Sequence, residues 1–185
     1  MASPISRFVG GASGPWQVSG IEVFRGDGLD RPARLEVLGE GQAAQDPAAR
    51  WVMRASASHA RYSTRAELTA LGARQAGLGR PESTRAALIP VRKSERWWAL
   101  AQDERRAILE RSRHIEIGRD YLPAIARKLY HSRDLGEDFD FLTWFEFAPG
   151  DAGAFDELLA RLRATEEWTF VEREVVVRLE RAAPG

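Results

Sequence analysis

Three histidines, His59, His114 and His131, are the residues best suited to hold a metal ion, each through a neutral ring nitrogen. No two of them stand four residues apart, the spacing that puts a zinc pair on one helical face, and the chain has no cysteine to complete such a site. The missing cysteines also exclude disulfides, thiolate metal centres and the covalent C-x-x-C-H attachment of c-type haem. There is no G-x-S-x-G nucleophile turn, P-loop or G-x-G-x-x-G fingerprint. A lone histidine is by default a surface or hydrogen-bonded residue, so spacing alone selects none of the three. Arginine abundance is equally silent: Lys93 and Lys128 are the only lysines among 27 basic side chains, a bias that a GC-rich genome produces unaided.

The apolar pattern outlines the elements that must position any site. Gly10, Gly11, Gly14 and Pro15 give a loose start, so residues 1–15 read as a flexible segment and 16–181 as one domain. Strands are expected over Trp16–Phe24 and Ala33–Leu38, extended chain from Trp51, and a helix from Ser63 carrying Ala66, Leu68, Leu71 and Ala73. Ala86–Val91 is a short strand, demoted by Pro90. Helices are expected over Ser94–Arg113 and Tyr121–Tyr130, with a break at Gly118 between them. The clearest strand is Asp138–Ala148, where Phe139, Phe141, Thr143, Phe145 and Phe147 alternate with Leu142, Trp144 and Glu146. Asp151 can cap a helix whose Phe155, Leu158, Leu159 and Leu162 form one apolar stripe. A last strand, Trp168–Glu180, puts Val171, Val175, Val177 and Leu179 on one side. Strands, then helices, then a strand–helix–strand unit predict an α+β fold: a ferredoxin-like sandwich of antiparallel sheet with helices on one side.

The formal net charge is zero, with acids and bases interspersed, so no basic stripe or acidic tail points to nucleic acid or to a membrane surface. The opening MASPISRFVGGASGPW lacks a basic start followed by an apolar core, and no apolar run approaches the ~20 residues of a membrane span. A cytoplasmic protein without membrane or nucleic-acid partners is expected.

Two long segments carry a family likeness. RYSTRAELTALGARQAGLGRPESTRAALIPVRKSERWWALAQDERRAILE and SRHIEIGRDYLPAIARKLYHSRDLGEDFDFLTWFEFAP resemble the chlorite dismutases, and especially their short, dimeric branch, from about Arg61 to Arg178. The resemblance implies a dimeric α+β barrel of the ferredoxin-like type, a homodimer, one non-covalent haem b per subunit, and conversion of chlorite to chloride and dioxygen. By the same resemblance His114, in S-x-H-I, is the proximal iron ligand and Arg127, in Y-L-P-A-I-A-R, the distal residue. Glu167, rather than the adjacent Glu166, corresponds to the acid that binds the proximal imidazole. Tyr62, Lys93 and Trp97 match positions at the haem edge and propionates, while Leu122, Thr143 and Phe145 match walls of the distal pocket. Trp98 is assigned to core or subunit interface, and Gln75 to the neighbourhood of Arg127.

Arginine suits the implied reaction because it stays cationic and offers a planar fork of donors to a small oxyanion. Retaining a hypochlorite-level fragment beside its partner makes their recombination unimolecular. A site with Arg127 and no distal histidine favours chlorite over peroxide. Three other readings compete: a coproheme decarboxylase-like enzyme, which characteristically lacks the distal Arg and is longer; a peroxidase-like haem enzyme; and a non-catalytic haem carrier or sensor, which has no evident need of that Arg.

Overall fold

The computed structural model describes residues 4–42, 46–57, 63–74 and 77–181. Among them, eight strands and five α-helices follow in the order β1 (Ile5–Gly11), β2 (Trp16–Arg25), β3 (Arg34–Leu38), β4 (Trp51–Ala57), α1 (Arg65–Arg74), β5 (Arg85–Lys93), α2 (Glu95–Ala99), α3 (Gln102–Arg111), α4 (His114–Asp120), β6 (Ala126–His131), β7 (Phe141–Phe147), α5 (Ala152–Arg163) and β8 (Val171–Glu180). All neighbouring strand pairs are antiparallel, and the sheet closes on itself as β1-β3-β2-β8-β5-β7-β6-β4. The antiparallel sheet and the helices agree with the sequence pattern. The closure, which the apolar pattern alone did not indicate, gives each edge of the sheet a partner instead of a solvent boundary.

Alternation explains why the sheet needs cover on both faces. Leu142 and Trp144 of β7, Leu88 of β5 and Val175, Val177 and Leu179 of β8 point into the barrel, where they meet Phe8, Trp16, Leu35 and Tyr130. The intervening Phe145, Phe147, Ala87, Ile89 and Val176 point outward and are covered by Phe155, Leu158, Leu159 and Leu162, the predicted stripe of α5. Phe155 is fully buried, its ring 4.7 Å from Phe147 and 5.3 Å from Phe145. Val171 joins this outer cluster rather than the inner one assigned to it, beyond the register shift between Arg92 and Lys93.

Further parts of the chain depart from the sequence pattern. Ile5–Gly11 is a barrel strand paired with β3 and β4, not a loose leader. Gly10 is required there by close approach, since a Cβ would stand 2.5 Å from the indole ring of Trp51. The expected helix over Tyr121–Tyr130 is instead a turn followed by strand β6, which pairs with β7 from Ala126↔Glu146 to His131↔Phe141. Finally, Gly118 lies inside α4, and the break falls at Arg113, whose φ of 52° separates α3 from α4. The Ser94–Arg113 stretch is itself divided into α2 and α3. Asp151 makes no side-chain cap on α5.

Candidate active site

The outer face of β5, β7 and β6 that α5 does not cover is roofed by α3 and α4, leaving a cavity of about 200 Å³. Val91, Phe141, Thr143, Leu129 and His131 form its sheet wall. Leu109, His114 and Ile115 form its helical wall, with Trp97, Lys93, Glu167 and Trp168 at its base. Apolar groups dominate, and the few polar ones are organised.

The left-handed turn at Arg113 makes His114 the first residue of α4. Its Nδ1 lies 2.5 Å from Oε2 of Glu167, and Lys93 Nζ donates to Oε1 of the same carboxylate at 2.8 Å. Lys93 and Glu167 are almost fully buried, with side chains 4% and 6% exposed. Burial opposes the charged form of Glu167, yet the charges of His114 and Lys93 outweigh it and hold the carboxyl at about 2. An ionised carboxylate can only accept, so Nδ1 carries the hydrogen-bonded proton, and Nε2, once without its own proton, is the ring nitrogen left for a metal. Ser112 Oγ accepts the backbone N–H of Glu167, tying the acid to the end of α3. Lys93 also lies 4.5 Å above the Trp97 ring. Its ammonium is therefore committed to Glu167, a role the edge assignment did not contain.

Arg127 lies on β6, not on a helix. By alternation it shares the face of Leu129 and His131, opposite Phe145, and its guanidinium packs against Gly118 of α4. Burial lowers its pKa from the ordinary value, but a guanidinium remains protonated near neutrality. A Cβ on Gly118 would collide with Nη1 and Cζ of Arg127, so this glycine is explained by space rather than by backbone angle.

The structure thus gathers His114, Lys93, Trp97, Thr143 and Glu167 around one cavity, with Arg127 and Phe145 further along the same strand faces. Leu122 is buried in the turn before β6. Glu166 pairs with Arg111 at the surface, which separates it from its neighbour Glu167. Trp98 stacks on Phe141 and donates to Asp140. Tyr62, His59 and Gln75 lie outside the described residues. Two ring-nitrogen residues of the cavity, His131 and Trp168, were given no role by the family likeness, although His131 stood among the three candidate metal ligands. His131 stands on the Arg127 face but four residues along it, roughly 13 Å away. Strand alternation over Arg127, Leu129 and His131 was the available signal. Trp168, on the turn before β8, has its ring 6.2 Å from the His114 ring and nearly parallel to it.

Comparison with known proteins agrees with this architecture. Residues 42–179 match the model of the chlorite dismutase family, and the chain belongs to that family. A solved structure of a dimeric chlorite dismutase from Nitrobacter winogradskyi is 53% identical over 96% of this chain and 99% of its own, with a TM-score of 0.89. A chlorite dismutase from Candidatus Nitrospira defluvii, solved with imidazole, shares the fold at 19% identity and a TM-score of 0.69, over 97% of this chain and 92% of its own. The chlorite dismutase of Ideonella dechloratans is 39% identical over 80 residues, which span 43% of this chain and 26% of that protein's length. Among the described residues, no helix is long and apolar enough to cross a membrane.

Proposed function

We propose that this chain is a cytoplasmic haem b enzyme, a homodimer with one haem per subunit, that converts chlorite to chloride and dioxygen. The observation that carries the reading is the hydrogen-bonded chain His114–Glu167–Lys93, its carboxylate and ammonium buried, at a largely apolar cavity whose sheet wall continues to Arg127. The residues fit a haem in a second respect. Trp97 lines the cavity, is 2% exposed, and its Nε1 donor finds no partner among the described residues, as suits a donor waiting for an acceptor such as a propionate. The dimer is taken from the likeness to the Nitrobacter winogradskyi protein, and the ferredoxin-like arrangement from the family resemblance of the sequence.

Bound haem would supply the iron that exchanges electrons with chlorite. His114 would hold that iron through Nε2. Glu167, accepting the Nδ1 proton, fixes the tautomer and makes the imidazole a stronger donor, and Lys93 keeps the carboxylate ionised in its buried position. Arg127 would bind the anion through its fork of N–H donors and retain the hypochlorite-level fragment until recombination. Thr143, Phe145 and Leu122 would wall this side, and Tyr62 with Trp97 the propionate edge.

The test is oxygen release from chlorite by the haem-loaded protein, with haem content read from its absorption. His114→Ala is expected to lose specific haem loading. Full loading with an unchanged ferric spectrum would remove His114 from its role, and haem-loaded protein that releases no oxygen would leave a carrier instead of an enzyme.

A further inference from the structure

Trp168 is unlike the other tryptophans of the chain. Its side chain forms part of the cavity wall, and its ring plane lies within 21° of the His114 ring. Its Nε1 donates to Oε2 of Glu174 at 2.6 Å. Glu174 is fully buried, and its Oε1 accepts two hydrogen bonds from Arg163, at 3.0 Å from Nε and 2.6 Å from Nη2. A carboxylate shut away from water has thus been placed on an indole N–H beside the proximal histidine, with its counter-ion on the far side. Nothing in iron ligation needs this arrangement, since Glu167 already orients His114.

We propose that Trp168 is a one-electron donor to the oxidised cofactor, with Glu174 as the carboxylate that makes its indole oxidisable; this rests on the haem reading above. Removing an electron from an indole leaves a positive charge on the ring, and a charge-assisted hydrogen bond to a carboxylate stabilises that form most where water is excluded. Arg163 withdraws charge from Oε1 and so disfavours transfer of the proton to Glu174. The indole therefore keeps its N–H and becomes a radical cation. Lys93 lies 5.3 Å from the Trp168 ring and acts in the opposite sense; both charges are paired, Lys93 with Glu167 at 2.8 Å and Glu174 with Arg163 at 2.6 Å, and Glu174 prevails because it touches the ring nitrogen directly.

The electron balance is simple. With haem bound, hydrogen peroxide (reduced to water) or chlorite (reduced to hypochlorite) would take two electrons from it. Trp168 would return one, becoming the radical cation, and a phenolic reductant from solution would supply two electrons in two steps, one to the indole and one to the cofactor. Oxidising equivalents left when a hypochlorite fragment escapes would have a defined exit. Other tryptophans meet only part of the requirement. Trp144 donates to Glu146 inside the barrel, Trp98 donates to Asp140 while stacked on Phe141, and Trp97 reaches the cavity without a carboxylate.

The experiment uses haem-loaded protein mixed with hydrogen peroxide without chlorite, frozen within milliseconds and read by electron paramagnetic resonance with ring-deuterated tryptophan. Wild type is expected to give a tryptophan radical, which Trp168→Phe removes and Trp144→Phe leaves intact. Glu174→Gln, which keeps an acceptor but not the charge, is expected to lower its yield about tenfold. Peptide mapping of oxidised wild type gives a second readout that needs no variant: oxidation is expected at Trp168 ahead of Trp97 and Trp98. A full tryptophan signal in Trp168→Phe, no such signal in wild type, or oxidation confined to Trp97 and Trp98 overturns the proposal. Protein that takes up no haem at all is recognised from its absorption and overturns the underlying reading instead.

Discussion

Lys93→Met tests the buried network without touching the proposed ligand. Methionine roughly fills the lysine's space and removes its charge, so Glu167, 6% exposed, is left with the His114 Nδ1–H as the remaining hydrogen-bond partner of its carboxylate. Breaking a buried ion pair by deleting one member costs about 3–5 kcal/mol. For a domain of this size each kcal/mol corresponds to about 2–4 °C, so melting is expected to fall by roughly 6–20 °C. Removing both charges, in Lys93→Met with Glu167→Leu, is expected to cost far less than the sum of the single changes, because the orphaned carboxylate is gone. The assay is thermal unfolding of the four proteins of the cycle. On the haem-loaded single variant, the unpaired carboxylate should also lower the iron's reduction potential by making the imidazole more electron-rich. A Lys93→Met protein within about 1 kcal/mol of wild type, or single changes that add without coupling, would refute the reasoning.

Two further outcomes follow from neighbouring contacts. The Arg106 guanidinium holds the Glu67 carboxyl at about 2, below its usual 4.5, through a hydrogen-bonded pair that pins α1 to α3. The folded value is depressed, so this stabilisation is complete above about pH 4.5 and is lost as the pH falls towards 2. Because the pair is partly solvated, Glu67→Gln is expected to cost only about 1 kcal/mol at pH 7 and nothing near pH 2; a gap that persists in acid contradicts the assignment. Gly118→Ala is expected to displace Arg127 and weaken anion binding about tenfold, a loss of the size of one hydrogen bond to a charged group, while melting changes little because alanine favours the helix. Unchanged azide and chlorite affinities would show that the guanidinium has other room.

The sequence was legible where pattern and burial coincide. Leu142, Trp144 and Glu146 alternate with Phe141, Thr143 and Phe145 as β7, and Phe155, Leu158, Leu159 and Leu162 form the buried stripe of α5, both as their spacing predicts. It misled where local spacing favours one element and long-range pairing another. Leu122, Ile125, Ala126, Leu129 and Tyr130 are spaced as a helical stripe, yet seven strand partners on β7 are available to the wider segment and six of its residues take them. Gly10 and Gly11 suggested looseness where Gly10 instead admits a tryptophan ring against β1. In the site, His114, Glu167 and Arg127 were assigned by resemblance. The Lys93–Glu167 pair was not, because its members are 74 residues apart and only the fold brings them together. Trp168 was read as the start of a strand, and only the turn before β8 turns it towards His114.

The central claim, that a guanidinium opposite His114 holds chlorite and its fragment, is tested most directly by total oxygen released per haem at fixed chlorite, with and without a hypochlorite trap. Wild type is expected to release oxygen stoichiometrically and yield little trapped oxidant. Arg127→Ala, losing an ionic hydrogen-bonding contact of about 1.5–3 kcal/mol, is expected to fall roughly ten- to a hundredfold in efficiency and to release more trappable oxidant as its haem bleaches. An Arg127→Ala protein that matches wild type in efficiency, oxygen yield and trapped oxidant would contradict the account.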